Sequence, residues 1–250
     1  MDLTVGSRTD IGPRKMNQDH HGWWPELGLF VVADGMGGHN AGEVASHMAV
    51  EVIHGFIEES AGSADITWPF GLEIKHSVDM NRLLTAVRLA NRRIYTEGLK
   101  SPELSGMGTT VIAALVADGR MTLVSVGDSR IYRLRNGALE QLTQDDTWLA
   151  TVLGHKEAED AHPEHPLRHV LTAVVGTKDD VKPGSREEQL QHGDRFLMCT
   201  DGVHGKLDTA AMETVLANAA SAADGAADIV NEAITRGTTD NATAIVINVA

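Results

Sequence analysis

Four aspartates stand at the ends of short apolar runs that lie far apart in the chain. Asp34 follows the run 29–33, and Asp128 and Asp201 follow similar runs further on. Asp240 directly precedes the last apolar run. Carboxylates crowded at one sheet edge repel each other unless a cation neutralises them. Oxygen ligands without clustered cysteines suit Mg²⁺ or Mn²⁺, so the pattern indicates a two-metal site that turns water into a nucleophile.

A fifth acid, Asp19, stands close to a basic side chain in the segment RKMNQD at 14–19. The planar fork of an arginine suits a phosphate group, so Arg14 beside a metal cluster predicts phosphate binding. Each of these features also has an ordinary interpretation, because Asp-Gly pairs form turns and a basic turn is often only solvated. The spacing alone leaves both interpretations open.

Helices must position part of this site. Apolar residues at helical spacing predict a helix over 41–59 that is capped by Asn40. A second helix, with apolar residues over 83–94 on one face, is expected to stop at Gly98. The glycine-rich segment DGMGG at 34–38 is expected to be neither helix nor strand.

Short apolar runs predict antiparallel strands joined by tight turns. The pairs Asp118-Gly119 and Asn136-Gly137 are typical of two-residue hairpins. Strands are expected at 109–117, 121–126, 131–135, 138–142, 195–200 and 241–249, and further helices near 146–153, 209–220 and 226–236. Helix pairs inserted between antiparallel strands favour two packed sheets covered by helices.

The composition is that of a globular protein with an acidic surface. The chain has 250 residues, a formal net charge of −14 at pH 7 and one cysteine, Cys199. A single cysteine excludes an internal disulfide framework and a four-cysteine zinc site. The negative charge disfavours nucleic acids and anionic membranes as partners. Neither a secretory leader nor a membrane-spanning run is evident, which favours the cytoplasm.

Six segments resemble, in order and spacing, the motifs of bacterial PP2C-type (PPM) metal-dependent serine/threonine protein phosphatases. They are RxxNQD at 14–19, DGMGG at 34–38, SGMGTT at 105–110, VGDSRIY at 126–132, TDG at 200–202 and TTDNAT at 238–243. The likeness extends from about residue 4 to residue 249. It implies an α+β fold, a four-layer α-β-β-α sandwich with two antiparallel sheets flanked by helices. It also implies one domain over 1–250 with a variable flap at about 143–176.

The resemblance implies a core site for two Mn²⁺ or Mg²⁺ ions. Asp34 matches the ligand that bridges the two ions, and the Gly35 carbonyl matches a ligand of the second ion. Asp201 and Asp240 match the acids that complete the shell of the first ion.

Three more residues have implied roles around this core. Asp19 would hold metal-bound water molecules, and Asp128 matches the acid that helps to bind a third, weaker ion in bacterial members. Arg14 matches the arginine that contacts phosphate, so Arg14, Asp19 and Asp34 are the implied catalytic residues.

Two departures from the family pattern concern the second ion and the general acid. Gln18 stands where many eukaryotic members have a glutamate ligand, and Met36 replaces a histidine that has been proposed as general acid. A thioether cannot donate a proton at neutral pH. Metal-bound water, another side chain or His39 would then have to protonate the leaving group, and a solvated loop histidine is the ordinary interpretation of His39.

The implied activity is hydrolysis of phosphoserine and phosphothreonine by direct attack of water activated by the two metals. The implied partners are phosphorylated proteins, including a cognate serine/threonine kinase or its substrates, with no nucleic acid or membrane, and the implied state is a monomer. Two alternatives stay open. One is a catalytically silent metal-binding module, and the other is a metal-dependent hydrolase of small phosphoesters or nucleic acid, the latter opposed by the acidic charge.

The remaining reactive side chains have ordinary interpretations. Cys199 lies in an apolar run and is expected to be a packing residue, because the arginine spacing of cysteine phosphatases is absent. Four histidines could suggest zinc, but no cysteine or acid completes a recognised zinc site. They are His155, His162, His165 and His169, and the better interpretation is a loop of the flap that faces the substrate.

Overall fold

Two antiparallel sheets form the centre of the molecule. The structure, a computed structural model, describes residues 1–38, 41–62, 67–154, 167 and 170–250. In chain order the strands are β1 (Leu3–Asp10), β2 (Asp19–Trp24), β3 (Leu29–Met36), β4 (Gly108–Thr109), β5 (Val111–Ala117), β6 (Arg120–Val126), β7 (Arg130–Arg135), β8 (Ala138–Gln141), β9 (Gly184–Gln189), β10 (Arg195–Cys199) and β11 (Ala242–Val249). The first sheet has the order β1-β11-β10-β7-β8. The second has the order β2-β3-β5-β6-β9, with β4 paired to β3.

Helices cover the outer faces of both sheets. They are α1 (Ala41–Ser60), α2 (Val78–Lys100), α3 (Trp148–Leu153), α4 (Asp201–His204), α5 (Thr209–Asn218) and α6 (Ala222–Thr235), with 3₁₀ turns at Pro25–Leu27 and Pro102–Leu104. Side chains that accept a hydrogen bond from the first turn cap α2, α3, α5 and α6 at Ser77, Thr147, Asp208 and Ser221. Within the described ranges, none of these helices combines the length and the apolar character that a membrane span needs.

The apolar core has three layers, because strands bury side chains on both faces. In β10, Phe196 and Met198 point between the two sheets, whereas Leu197 and Cys199 point toward α5 and α6. Helices α1 and α2 bury their apolar faces on the outer side of the second sheet. This layering confirms the predicted α+β class and the four-layer α-β-β-α sandwich.

The glycine-rich segment after Ala33 departs from the sequence prediction. Strand β3 continues through it, because Gly35 pairs with Thr109 and Met36 pairs with Gly108 of β4. The expectation that this segment is neither helix nor strand is therefore wrong as far as Met36. A short partner strand, which sequence periodicity does not reveal, extends the ladder.

Helix α2 also differs from its prediction. It continues past Gly98 to Lys100, and Ser101 is its extended C-cap. Ser101 precedes Pro102, and a proline disfavours the helical conformation in the residue before it. The stop signal is therefore the proline rather than the glycine.

Candidate active site

The five acids singled out in the sequence lie at one end of the two sheets. Asp19 and Asp34 are directly opposite each other in the β2–β3 ladder. Asp128 lies in the turn between β6 and β7, Asp201 begins α4 directly after β10, and Asp240 directly precedes Asn241 and β11. Antiparallel pairing places the end of β10 beside the starts of β7 and β11, which gathers these three acids.

Asp19 connects the two sheets through hydrogen bonds. Its Oδ2 accepts the hydroxyl hydrogens of Thr200, at 3.0 Å, and Thr243, at 2.7 Å. Its Oδ1 is buried and has no hydrogen-bond partner among the described residues. Burial, followed by repulsion from Asp201 and Asp240, raises the pKa of Asp19 to about 7 despite the two hydroxyl donors.

Four other acids lie close enough to Asp34 to repel its charge. Burial raises the pKa of its carboxyl well above the usual range, and Asp19, Asp201, Asp128 and Asp240 raise it further by repulsion. Thr109 and Thr110 fix the backbone of Asp34. The Thr109 hydroxyl and the Thr110 N–H donate to the Asp34 carbonyl oxygen, and the Asp34 N–H donates to the Thr110 hydroxyl. The raised pKa indicates that the five acids share one electrostatic environment.

Asp128 is buried beside a fixed ion pair. Burial and repulsion from Asp201 and Asp145 raise the pKa of Asp128 to about 7, while Arg130 lowers it. Arg130 binds both carboxylate oxygens of Asp145, with contacts between 2.7 and 3.2 Å. The Asp128 carbonyl oxygen lies 3.0 Å from Nε2 of His204 on α4.

Arg14 lies at the edge of this cluster and contacts one of its acids. Its guanidinium nitrogen Nη2 is 2.6 Å from Oδ2 of Asp240, and its Nε donates to the Thr239 carbonyl at 2.9 Å. About half of the Arg14 side chain is exposed, at 53%. A phosphate group can therefore approach the guanidinium from the solvent side, next to the acids.

Asn241 holds the loop that carries Arg14. Its side-chain oxygen accepts the Gln18 N–H at 2.8 Å, and its side-chain amide donates to the carbonyls of Ile11 and Met16, each at 2.9 Å. The loop before β2 is thereby fixed to the start of β11. Arg14 and Asp19 consequently keep a defined position relative to Asp240.

Close backbone contacts explain three glycines in the site. A Cβ on Gly35 would lie 2.0 Å from the Gly42 carbonyl oxygen, and a Cβ on Gly42 would lie 2.8 Å from the Gly35 carbonyl oxygen. A Cβ on Gly202 would lie 1.9 Å from the Asn241 carbonyl oxygen. Only glycine allows these approaches, which bring α1 against β3 and α4 against β11.

The chemistry of this donor set fits hard divalent cations. All five side chains offer oxygen atoms, which hard divalent cations prefer as ligands. Asp19 has one buried oxygen without a hydrogen bond among the described residues. The pKa values of Asp19, Asp34 and Asp128 are raised, and a bound cation would lower them. Within the part of the chain that the structure describes, no three His, Cys, Asp or Glu side chains are already arranged to hold an ion.

Several residues that support the site are not singled out by the sequence analysis. Thr200, Thr243, Asn241 and Gly42 hold the acids and the loop but have no distinctive chemistry of their own. Thr200 and Asn241 directly adjoin the predicted acids Asp201 and Asp240, and Thr243 lies three residues after Asp240 in the segment TTDNAT, which is the signal that could have pointed to them.

Other predicted features fall outside the described residues. These are the proposed cap Asn40, the proton donor considered at His39, and the histidines His155, His162, His165 and His169. Of the predicted flap at 143–176, the structure describes 143–154, 167 and 170–176. Met36 ends β3 with 42% of its surface exposed.

The fold and the acidic end of its sheets define a known class of protein. The model of the protein phosphatase 2C family matches residues 9–236, and the chain belongs to this family. The resemblance inferred from the six motifs is thereby confirmed.

Two curated relatives and one solved structure show the extent of the similarity. The serine/threonine protein phosphatase PstP of Mycobacterium tuberculosis is 34% identical over 251 residues, which cover 99% of this chain and 45% of PstP, so the chain spans under half of that protein. The serine/threonine phosphatase Stp of Listeria innocua is 31% identical over 250 residues, which cover 96% of this chain and 93% of Stp. The crystal structure of the PstP catalytic domain in complex with two manganese ions has a TM-score of 0.81 and 30% identity, and the match covers 99% of each chain.

Proposed function

We propose that this chain is a protein serine/threonine phosphatase that hydrolyses phosphoserine and phosphothreonine with divalent metal ions. The observation that carries the proposal is the convergence of acids from separate segments at one end of the two sheets, where Asp19 and Asp34 lie directly opposite each other in the β2–β3 ladder. Membership of the protein phosphatase 2C family and the two manganese ions in the PstP catalytic domain support it.

The proposed ligands of the two core ions are Asp34, the Gly35 carbonyl, Asp201 and Asp240, with Asp128 contributing to a weaker third ion. Mn²⁺ or Mg²⁺ held there would supply a water molecule acidic enough to act as a nucleophile at neutral pH. Direct attack of that water on phosphorus would leave no phosphoenzyme.

The side chains of the protein orient the substrate and its attacking water. Asp19 would accept hydrogen bonds from metal-bound water through its Oδ1, the oxygen that has no partner among the described residues. Arg14 donates to the nonbridging oxygens of the phosphate and offsets their charge in the transition state. This role requires Arg14 to share or release its contact with Asp240. Met36 cannot supply the leaving-group proton, which must come from water or another side chain.

The proposed substrates are phosphorylated proteins, including a cognate serine/threonine kinase or its targets, and the proposed state is a monomer. A single domain over 1–250 and a cytoplasmic location stay predictions. The net charge of −14 opposes nucleic acid as a substrate.

The variant Asp34→Asn tests this function. It removes one negative charge from the centre of the cluster and keeps the shape of the side chain, so we expect turnover of a phosphothreonine peptide to fall by orders of magnitude. Asp228→Asn, an exposed acid on α6, is the matched control and should keep wild-type turnover. Circular dichroism should show that both variants are folded. Wild-type turnover in Asp34→Asn would contradict the proposal.

A substrate panel separates the phosphatase from the alternative hydrolases. We expect Mn²⁺-dependent release of phosphate from phosphoserine and phosphothreonine peptides, loss of that activity with a chelator, and recovery with Mn²⁺ or Mg²⁺. Full activity after removal of metal, or activity confined to nucleotides, would contradict the proposal.

A further inference from the structure

A directed chain of hydrogen bonds leads to one oxygen of Asp19. The side-chain amide of Asn17 donates to Oγ1 of Thr9 at 2.8 Å, and the hydroxyls of Thr9 and Thr243 are 2.8 Å apart. The hydroxyl hydrogen of Thr243 is directed to Oδ2 of Asp19 at 2.7 Å. A hydroxyl has one hydrogen, so Thr9 must be the donor to Thr243. The chain therefore runs from Asn17 through Thr9 and Thr243 to Asp19.

Two further contacts fix the direction of this chain. Oδ1 of Asn17 accepts the backbone N–H of Asp19 at 3.1 Å, which orients the Asn17 amide so that its NH₂ group faces Thr9. Oγ1 of Thr200 accepts the backbone N–H of Thr243 at 3.1 Å, and its hydroxyl donates to Oδ2 of Asp19. Thr200 and Thr243 are fully buried. Oδ2 thus accepts two hydrogen bonds, one from Thr243 of β11 and one from Thr200, which directly follows β10.

The two oxygens of Asp19 are consequently unequal. Oδ2 is saturated by the threonines, whereas Oδ1 is buried without a hydrogen bond among the described residues. Such an oxygen is costly unless a donor or a cation reaches it. Outer residues that orient a metal-binding group commonly change metal affinity by about 10- to 100-fold when they are removed.

We propose that Thr243 and Thr200, supported by Thr9 and Asn17, are positioning residues that hold Asp19 so that its Oδ1 serves the metal shell. This inference rests on the proposed function, because it requires the site to bind divalent ions. It assigns the threonine hydroxyls a role distinct from that of the acids, since both hydroxyls donate to Oδ2 of Asp19 and thereby set its orientation.

The test measures Mn²⁺ binding to the complete chain by isothermal titration calorimetry. Thr243→Val replaces the hydroxyl by a methyl group of similar size, and we expect its Kd for Mn²⁺ to rise about 10-fold or more. Thr243→Ser keeps the hydroxyl and should bind Mn²⁺ with an affinity close to that of the wild type. Thr122→Val, in the buried middle of β6, is the control for loss of a threonine hydroxyl from a strand and should also bind as the wild type does.

A folded Thr243→Val variant that binds Mn²⁺ like the wild type would overturn the inference, and so would equal losses in the valine and serine variants. If Thr243→Val does not fold, Thr9→Val is the variant that tests the inference, because it removes the hydrogen bond to Thr243 and leaves both donors to Asp19 in place. We expect a smaller rise in Kd for Thr9→Val, and an unchanged Kd would overturn the inference. A wild-type protein that binds no Mn²⁺ would overturn the proposed function itself.

Discussion

At the scale of single residues, the fold opposes the ionisation of three acids of the candidate site. Asp19 and Asp128 are each less than 10% exposed, and burial is the largest cause of the rise in their pKa to about 7. Asp34 is shifted in the same direction. A metal ion would reverse this cost, so the same charges that destabilise the metal-free protein would bind the cation. The acids are therefore expected to lower the stability of the metal-free protein and to favour metal binding.

The pH dependence of stability should reveal how much the ionisation of Asp128 destabilises the metal-free protein. The folded protein holds the Asp128 proton more tightly than the unfolded chain, so ionisation destabilises the fold as pH rises from about 4 to about 7. In a chelator, Asp128→Asn should therefore be more stable than the wild type above pH 7. This advantage should shrink steadily toward pH 4. Thermal unfolding of both proteins across that range measures it.

The informative quantity is the difference in stability between the wild type and Asp128→Asn, because other groups titrate in the same pH range. Burial lowers the pKa values of His20 and His21, and this effect alone makes stability rise with pH through their titration range. Both proteins share that contribution, so it cancels. A difference that is constant with pH, or largest at pH 4, would contradict the assignment of Asp128.

The single cysteine gives a second prediction at this scale. Cys199 is fully buried, and burial raises the pKa of its thiol to about 12. We expect no reaction with a disulfide reagent such as DTNB at pH 8 in the folded protein, and one thiol per chain after unfolding in guanidinium. Rapid modification of the folded protein would show that the β10 core is more open than the structure indicates.

At the scale of elements, the site depends on close approaches between backbones. The start of α1 touches β3 at Gly42 and Gly35, and the loop before β2 is held by the side chain of Asn241. These contacts join segments far apart in the chain. Strand ends and helix starts thereby become a single rigid frame for the acids.

Two glycines on the same helix provide a matched test of this frame. Gly42→Ala would place a Cβ 2.8 Å from the Gly35 carbonyl oxygen, so α1 must shift, and we expect lower stability and weaker Mn²⁺ binding. Gly55→Ala meets no atom within 4 Å and should be neutral or stabilise the protein by up to about 1 kcal/mol through helix propensity. Thermal unfolding and calorimetric titration measure both effects. Equal behaviour of the two variants would show that the α1–β3 contact does not support the site.

Sequence periodicity predicts the apolar elements well and the polar edge elements poorly. The predicted strand boundaries lie within two residues of the observed ones for five apolar strands, β5, β6, β7, β10 and β11. Strand β9 has the sequence GSREEQ, and β2 has the sequence DHHGWW. Both are edge strands that the partner strand defines through backbone hydrogen bonds, so their side chains carry no strand pattern.

The same distinction applies to the site. Carboxylates at strand ends can be recognised in the sequence because their chemistry is distinctive, and Asp19 and Asp34 indeed face each other across β2 and β3. The hydroxyl of Thr243, which bonds Asp19, and the side-chain amide of Asn241, which holds the loop before β2, cannot be recognised in this way. Their role depends on pairings between segments more than 200 residues apart.

At the scale of the whole molecule, the layered architecture brings acids from both sheets together. The two sheets pack through an apolar layer, and helices seal their outer faces. Asp19 and Asp34 belong to one sheet, whereas Asp201 and Asp240 adjoin the other. A metal ion bound by all of these acids would connect the two sheets, so metal binding and packing of the sandwich should be coupled.

A crystal structure with Mn²⁺, with anomalous differences measured at the manganese edge, tests this convergence most directly. We expect strong peaks at the acidic end of the sheets, within coordination distance of oxygens from Asp34, Asp201 and Asp240. Manganese peaks only elsewhere, with these three carboxylates turned toward separate regions of solvent, would contradict it.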